Sequence, residues 1–409
     1  MRVLVLGGTG FIGAALARVM TRQGHWVGVF HRGGGCEVDN GLHLHGDRTE
    51  LHAWANQFAA FAPDVVIDTT AGSAAAARQT LAVFGRLASR VVLLSCMEVY
   101  RACGVFHGAE AGELEPGETS PPRRLHGWME EGYDKLGMER VVAAWPNSAQ
   151  VTVVRLPPVY GPGDRQHRLY SYWRRMADER PAMFLPRGWA EWRSSRAYVG
   201  NVAEGLALAA VAPRAAGRLY NLADRGDYSE IEWTQLIAQA WGWNGRLLIT
   251  TPESTPAHLR VSARTAQGWC AVTQRIRQEL GYRDQVPVLD AIAATLAWER
   301  AHPPQDTETD TETGAGFDYH AEDEALRRLG WTSMPTRPPR TRQPPPVEAA
   351  WKRHEQSGRP LPPIEARPQA TTGSDQAKGG EPLAVPAAAP GGSLETPQAE
   401  RAPLARPRS

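Results

Sequence analysis

No stretch of this 409-residue chain approaches the roughly 18 unbroken apolar residues that a helical membrane span requires, which argues against a membrane protein. Cysteine is scarce. Cys36, Cys96, Cys103 and Cys270 are scattered without paired or metal-type spacing, which excludes a disulfide scaffold and suits reduced thiols. An excess of either charge is also missing. Lys and Arg number 45 and Asp and Glu 44, leaving a formal charge of +1, so no basic field recruits nucleic acid across the surface. The apolar run MRVLVLGGTGFIGAAL at 1–16 is punctuated by glycines and lacks a small-residue cleavage site, so a secretory signal is not expected. Together these absences lead to the expectation of a cytoplasmic protein whose partner is a small molecule rather than a membrane or a nucleic acid.

What is present is an alternation of β-rich and helical segments. VLVLG at 3–7, WVGVF at 26–30, LHLHG at 42–46, DVVID at 64–68, RVVLLS at 90–95 and VTVVRL at 151–156 alternate with amphipathic pieces such as AALARVMTRQG and AAAARQTLAVFGRLA. Strands rich in Val and Leu, without polar alternation, belong in a parallel sheet covered by helices on both faces. The fold class is therefore α/β, a doubly wound Rossmann-type sheet over residues 1–163. Residues 164–331 are richer in helix and loop and suit a smaller substrate-binding lobe. FDYHAEDEALRRLGW at 317–331 reads as one amphipathic helix docking back. From 332 to 409 Pro, Ala, Gly and Arg dominate, and such a segment buries too little apolar surface to offset its ordering entropy, so a disordered tail is expected.

The first strand runs into GTGFIGAALARVM, giving Gly7-x-x-Gly10-x-x-Gly13. One glycine makes the tight turn, one admits a pyrophosphate, and one lets helix pack on strand. Free amides at the helix start then hold the anion, so Gly7, Thr9, Gly10, Phe11, Ile12 and Gly13 form the candidate cofactor loop. The second strand ends Phe30-His31-Arg32, where an acid would bind the ribose hydroxyls of NAD. Arg32 instead offers a cation for a 2′-phosphate, which favours NADP, with NAD as the alternative. Asp47, after the third strand, is placed to accept a bond from the adenine amino group. His43 and His45 share one face of a strand, but no third ligand stands near them in the sequence. They read as edge-strand residues, and no metal site is expected.

At this point the chain resembles the extended short-chain dehydrogenase/reductase family, the NAD-dependent epimerase/dehydratase group, over roughly residues 1–300. GGTGFIG at 7–13, SCMEVY at 95–100, VVRLPPVYGPGD at 153–164 and AYVGNVAEGLALA at 197–209 are similar to its four signature segments in order. HRG at 31–33, with GDR at 46–48, is more loosely similar to the branch of chloroplast stem-loop-binding proteins. The resemblance implies NAD(P) in the N-terminal lobe, commonly a nucleotide sugar in the C-terminal lobe, and dimerisation through a helix such as that at 133–145. It also implies a Ser or Thr, a Tyr, and a Lys four residues after the Tyr as the proton-transfer group.

Here the chain departs from that pattern. Cys96 takes the hydroxyl slot, with Ser95 one place earlier, and a thiol is a poor donor. Glu98 stands where dehydratases of the family carry an acid. Lys135 fits the family lysine, yet Glu131 occupies the place of its tyrosine, and Tyr133 is only two residues away. Residues two apart on a helix point to nearly opposite sides. Three readings stay open. Tyr133 is a displaced acid/base, working only if the helix begins after it. Alternatively, Glu131, with Glu98, has taken over proton transfer. Or the Tyr–Lys engine is lost. Tyr160 is placed on the wall between cofactor and substrate, and Arg193 and Arg196 near a substrate phosphate. The expected function is an NAD(P)-dependent oxidoreductase or epimerase acting on a nucleotide sugar or similar hydroxyl compound. The alternative is a dinucleotide-binding regulatory or RNA-associated protein without turnover.

Overall fold

The computed structural model describes residues 1–33, 41–110, 116–123, 132–304 and 317–331; the tail read from the sequence at 332–409 lies outside them. Strands β1 (Arg2–Leu6), β2 (Trp26–His31), β3 (Leu42–His45), β4 (Val65–Asp68), β5 (Arg90–Cys96), β6 (Val151–Leu156) and β10 (Leu219–Asn221) form one sheet in the order β10-β6-β5-β4-β1-β2-β3. Every pairing in it is parallel. From β1 the chain moves outward to β2 and β3, then returns to fill the other side with β4, β5 and β6. The switch point between β1 and β4 is where a doubly wound sheet opens a crevice at its carboxyl edge.

Successive strand residues serve opposite layers. Val3, Val5, Val27, Val29, Val65, Ile67, Val92 and Leu94 pack in one core with helices α1 (Phe11–Arg22) and α8 (Val199–Val211). Leu4, Leu6, Phe30, Val66, Val91 and Leu93 pack in the other, against α2 (Ala55–Phe61), α3 (Ala74–Phe84) and α5 (Lys135–Ala143). Each such side chain contributes about 2 kcal/mol when removed from water, which is why these strands carry unbroken apolar runs. The Rossmann-type architecture read from the sequence is thus present. The chain re-enters this layer after residue 163, because α8 and β10 complete it, so the sheet draws on both sides of the boundary read from the sequence.

Helix α4 (Arg101–Phe106) follows β5. The remaining elements build a second layer. Strand β7 (Val159–Tyr160) pairs with β9 (Ala197–Tyr198), and β8 (Ala182–Pro186) with β11 (Arg246–Thr250). Helices α6 (Tyr170–Ala177), α9 (Glu230–Trp241) and α11 (Val288–Ala301) share a core containing Tyr160, Trp173, Trp233 and Ile292. Helices α7 (Arg187–Glu191) and α10 (Gln274–Leu280) complete this part, and α12 (Tyr319–Arg328) docks against β8 through Ala325 and Leu326. The last is the amphipathic helix expected at 317–331. Arg175 of α6 donates to one oxygen of the buried Glu322 carboxylate of α12 at 2.7 and 3.0 Å, pairing its charge.

The floor of the crevice is tied by a buried ion pair. Asp68, at the end of β4, has no exposure. One of its oxygens accepts from the Thr70 amide and hydroxyl, each at 2.8 Å. The other accepts from Thr80 Oγ1 at 2.6 Å and from the Arg48 guanidinium. Removing one partner of such a pair strands a buried charge, at about 3 kcal/mol. Arg48→Met is therefore expected to lower unfolding stability by about 3 kcal/mol in chemical denaturation, and Asp68→Asn in the same chain to recover part of that loss. An unchanged midpoint for the single variant would contradict this role.

Candidate active site

The carboxyl edge of the sheet gathers most of the residues singled out in the sequence. β1 leads into the glycine loop and α1. Gly10 is the N-cap of α1 and supplies no capping side chain, so the first amides of the helix, which lack intrahelical acceptors, point out of its mouth. A side chain at Gly13 would bring its Cβ to 2.1 Å from the Gly7 carbonyl oxygen. The close passage of helix over loop therefore requires glycine there, as a pyrophosphate cradle does. Thr9, Phe11 and Ile12 are partly exposed along the same loop. This donor set fits a dinucleotide diphosphate.

On the other side of the switch point, Lys135 begins α5. Its ammonium is buried, with the residue 7% exposed, and donates to the carbonyls of Ala71 at 3.0 Å and Leu94 at 2.8 Å. Burial depresses its pKa, opposed by the Asp68 carboxylate. Asp134 caps the helix: its carboxylate accepts from the Gly137 amide at 2.9 Å. A Cβ at Gly137 would stand 2.0 Å from that carboxylate, so the glycine in KLGMER makes room for the cap. The consequence is local and decisive. Tyr133 precedes the cap, so the helical periodicity that would separate it from Lys135 does not apply to it. The Lys135 ammonium lies 5.6 Å from the centre of the Tyr133 ring, and the Tyr133 hydroxyl is hydrogen-bonded to Cys96.

Cys96 ends β5, and its thiol donates to Glu98 at 3.3 Å. Burial, then the neighbouring Glu98, pushes the Cys96 pKa up to about 12, so at neutral pH it is a protonated thiol and no nucleophile. Burial, followed by the proximity of Cys96 and Glu98, raises the Tyr133 pKa as well. Tyr133, Cys96, Glu98 and Lys135 therefore form one group. Ser95 does not join it. It continues the parity of Val91 and Leu93 toward α5, where its hydroxyl donates to Glu139 at 2.6 Å. Glu139 also accepts from Arg155 at 2.9 and 2.6 Å, so Ser95, singled out in the sequence beside Cys96, is bound into a structural ion pair and turned away from Tyr133. Glu131 lies outside the described residues.

At the adenosine end, Arg32 is exposed just after β2. Asp47 is engaged locally: its carboxylate accepts from the Thr49 amide at 2.8 Å and hydroxyl at 2.7 Å, capping the short 3-10 turn Arg48–Trp54. Those bonds, with lesser help from Arg32 and Arg48, lower its pKa.

The residues read as substrate contacts are placed differently from expectation. Tyr160 is 2% exposed, its ring packed on Tyr198 and Trp233 at 5.7 and 5.1 Å; it is a core side chain. Arg193 pairs with Glu232 at 3.0 Å and donates to the Asp227 carbonyl at 2.7 Å. Arg196 pairs with the buried Glu230 and lies over the Trp233 ring. Both guanidiniums are thus neutralised within their own lobe. Trp173 sits in the α6/α9 core, whereas Trp189 and Trp192 stack at 4.7 Å beside Phe106 and Trp269, in the same core as Met97, Val99 and Leu136.

Sequence reading missed three features: the Asp134 cap, the Arg48–Asp68 tie, and a third histidine. For the first, Asp itself, a preferred N-cap residue, was the available signal. For the third, strand register was needed. His31 lies opposite His45 across β2 and β3, so His43 and His45 do have a third imidazole nearby, contrary to the expectation stated above.

A glycine loop at the first strand–helix turn, facing a Tyr–Lys pair across the switch point, defines a dinucleotide-dependent enzyme of the short-chain type. Residues 3–223 match the NAD dependent epimerase/dehydratase family, and the chain belongs to that family, within the extended short-chain dehydrogenases/reductases. The 2′-dehydrokanamycin reductase of Streptomyces kanamyceticus is 31% identical over 318 residues, covering 75% of this chain and 83% of that protein. Among solved structures, the Thermotoga maritima UDP-glucose 4-epimerase with UDP-glucose superposes with a TM-score of 0.57 at 16% identity, covering 74% of this chain and 99% of that one. The Thermus thermophilus UDP-glucose 4-epimerase with NAD gives 0.55 at 20%, covering 74% and 100%. These two share the fold. Among the described residues, no helix is long and apolar enough to cross a membrane.

Gly13→Val is expected to abolish NAD(P) uptake, measured by fluorescence titration of the dinucleotide, because the added branch collides with backbone rather than with a movable side chain. Uptake at wild-type affinity by a folded variant would remove the loop from the site.

Proposed function

We propose that this protein is an NAD(P)H-dependent reductase of a ring ketone on a sugar-like substrate, with Tyr133 as the proton donor. The observation that carries the reading is the start of α5 at Lys135, behind the Asp134 cap, which leaves Tyr133 outside the helix and beside both Cys96 and Lys135. Bound at the α1 mouth, the dinucleotide supplies the hydride that reduces the carbonyl carbon. Tyr133 gives its hydroxyl proton to the carbonyl oxygen as that oxygen gains charge, and Lys135, the adjacent cation, stabilises the tyrosinate that remains. Cys96 holds the Tyr133 hydroxyl in place, and Glu98 holds Cys96.

Protonation suits Tyr133 to the reductive direction. A tyrosine whose pKa is raised keeps its proton at neutral pH. It is ready to donate in reduction and poorly suited to remove a proton from an alcohol. The name of the Streptomyces relative, a reductase of 2′-dehydrokanamycin, supports the same direction. The pairing of Arg193 with Glu232 and of Arg196 with Glu230 favours a substrate without a nucleotide diphosphate over the nucleotide sugars read from the sequence. Arg32, exposed where an acid would favour NAD, supports NADPH as the reductant.

Tyr133→Phe is expected to lower kcat for ketone reduction by about 10²–10³-fold while leaving dinucleotide affinity within about twofold, measured by NADPH consumption against a panel of keto-glycosides and UDP- and dTDP-linked keto sugars. Retained kcat would remove Tyr133, and turnover confined to the nucleotide-linked members would restore the nucleotide-sugar substrate. The raised Tyr133 pKa predicts reductive kcat that does not fall from about pH 6 to about pH 9, and oxidative kcat that climbs through the same interval. Reductive kcat that falls with a midpoint inside that interval contradicts the assignment. Arg32→Ala should weaken NADPH binding about tenfold without weakening NADH binding; equal effects on both would leave Arg32 without a role in choosing the cofactor.

A further inference from the structure

We propose that His31, His43 and His45 form a three-imidazole site for a divalent transition metal of borderline softness, such as Zn²⁺, Co²⁺ or Ni²⁺, at the exposed edge of the nucleotide-binding sheet. The geometry comes from strand register. β2 and β3 run parallel with His31 opposite His45 and Val29 opposite His43. Parity then places all three imidazoles on the face where Val27 and Val29 pack against α1. One potential ligand atom from each ring lies within 4.8 Å of the other two. The nearest pair, His31 Nε2 and His43 Nδ1, stands 3.1 Å apart, and the His31 and His45 rings meet edge to face with centroids at 4.3 Å. Zinc–nitrogen bonds of about 2.0–2.1 Å in a tetrahedron put nitrogens roughly 3.3 Å apart. One pair already has that separation. The third closes by side-chain rotation of His45, which is exposed on the edge strand.

The chemistry favours a cation over an anion. An imidazole nitrogen that carries no proton offers a lone pair to a metal, and three such rings converge here. His31 Nδ1 accepts from the Gly33 amide at 3.2 Å, which leaves the proton of the His31–His43 hydrogen bond on His31 Nε2. Metal ligation through Nε2 moves that proton to Nδ1 and releases the Gly33 amide on an exposed turn. Three imidazoles with an open fourth position suit zinc, cobalt or nickel, whereas calcium and magnesium call for oxygen ligands. No step of the proposed reduction uses these rings, so the site stands or falls independently of it.

The test uses the full chain stripped with chelator and titrated with Co²⁺ by visible absorbance and with Zn²⁺ by calorimetry. One site is expected. Its affinity should fall by about tenfold or more in His43→Ala and, separately, in His45→Gln, and His302→Gln, at a histidine far along the chain, should leave it unchanged. Zn²⁺ should raise the Tm of the wild type and not of the first two variants. Both substituted positions lie on an edge strand whose core-facing neighbours are retained, and circular dichroism of the metal-free variants checks the fold. Wild-type binding no tighter than that of His43→Ala, or a zinc-induced Tm rise shared by all variants, overturns the proposal.

Discussion

A buried ammonium organises the reactive end of this molecule. Lys135 is nearly removed from water, and a charge so placed requires hydrogen-bond acceptors. It finds two in the carbonyls of Ala71 and Leu94, which belong to the chain ends leaving β4 and β5. Satisfying the lysine therefore docks the first turn of α5 against the carboxyl edge of the sheet, one strand from the switch point. Asp134 must then cap the helix at that spot, and Tyr133 is left in the preceding segment, facing Cys96. The odd Tyr–Lys spacing is a result of where the helix starts.

The same edge illustrates how a parallel sheet sorts side chains by parity. On β5, odd positions serve the α5 layer and even positions the α1 layer, so Ser95 is drawn to Glu139 and Arg155 while Cys96 is left for the site. On β2 and β3 the rule places His31, His43 and His45 together. Neither outcome depends on propensity; both follow from the period of two along a strand combined with register between strands.

Electrostatic pairing separates residues that bind from residues that build. Arg193, Arg196 and Arg155 each meet a carboxylate in the fold, and Arg48 meets the wholly buried Asp68. Arg32 stands exposed beyond β2. A cation available to a ligand phosphate is more informative than one already engaged, because a paired guanidinium must give up its partner before it can bind anything else. That distinction underlies the proposal of a keto sugar without a diphosphate as the substrate.

How much of this was legible beforehand follows from the range of the interactions involved. The sequence by itself determined the doubly wound sheet, the glycine loop and the family, because each is written in short-range patterns: apolar runs, glycine spacing, local motifs. Asp134 as a helix cap was also legible, because Asp is a preferred N-cap residue. Only the tertiary structure decided that Ser95 turns away, that Tyr160 is core, that two arginines are neutralised by Glu230 and Glu232, and that a third histidine joins His43 and His45. Those outcomes depend on partners distant in the chain, such as Arg196 and Glu230 or Ser95 and Glu139. A pairing between distant segments leaves no periodic trace in either of them until the chain is folded.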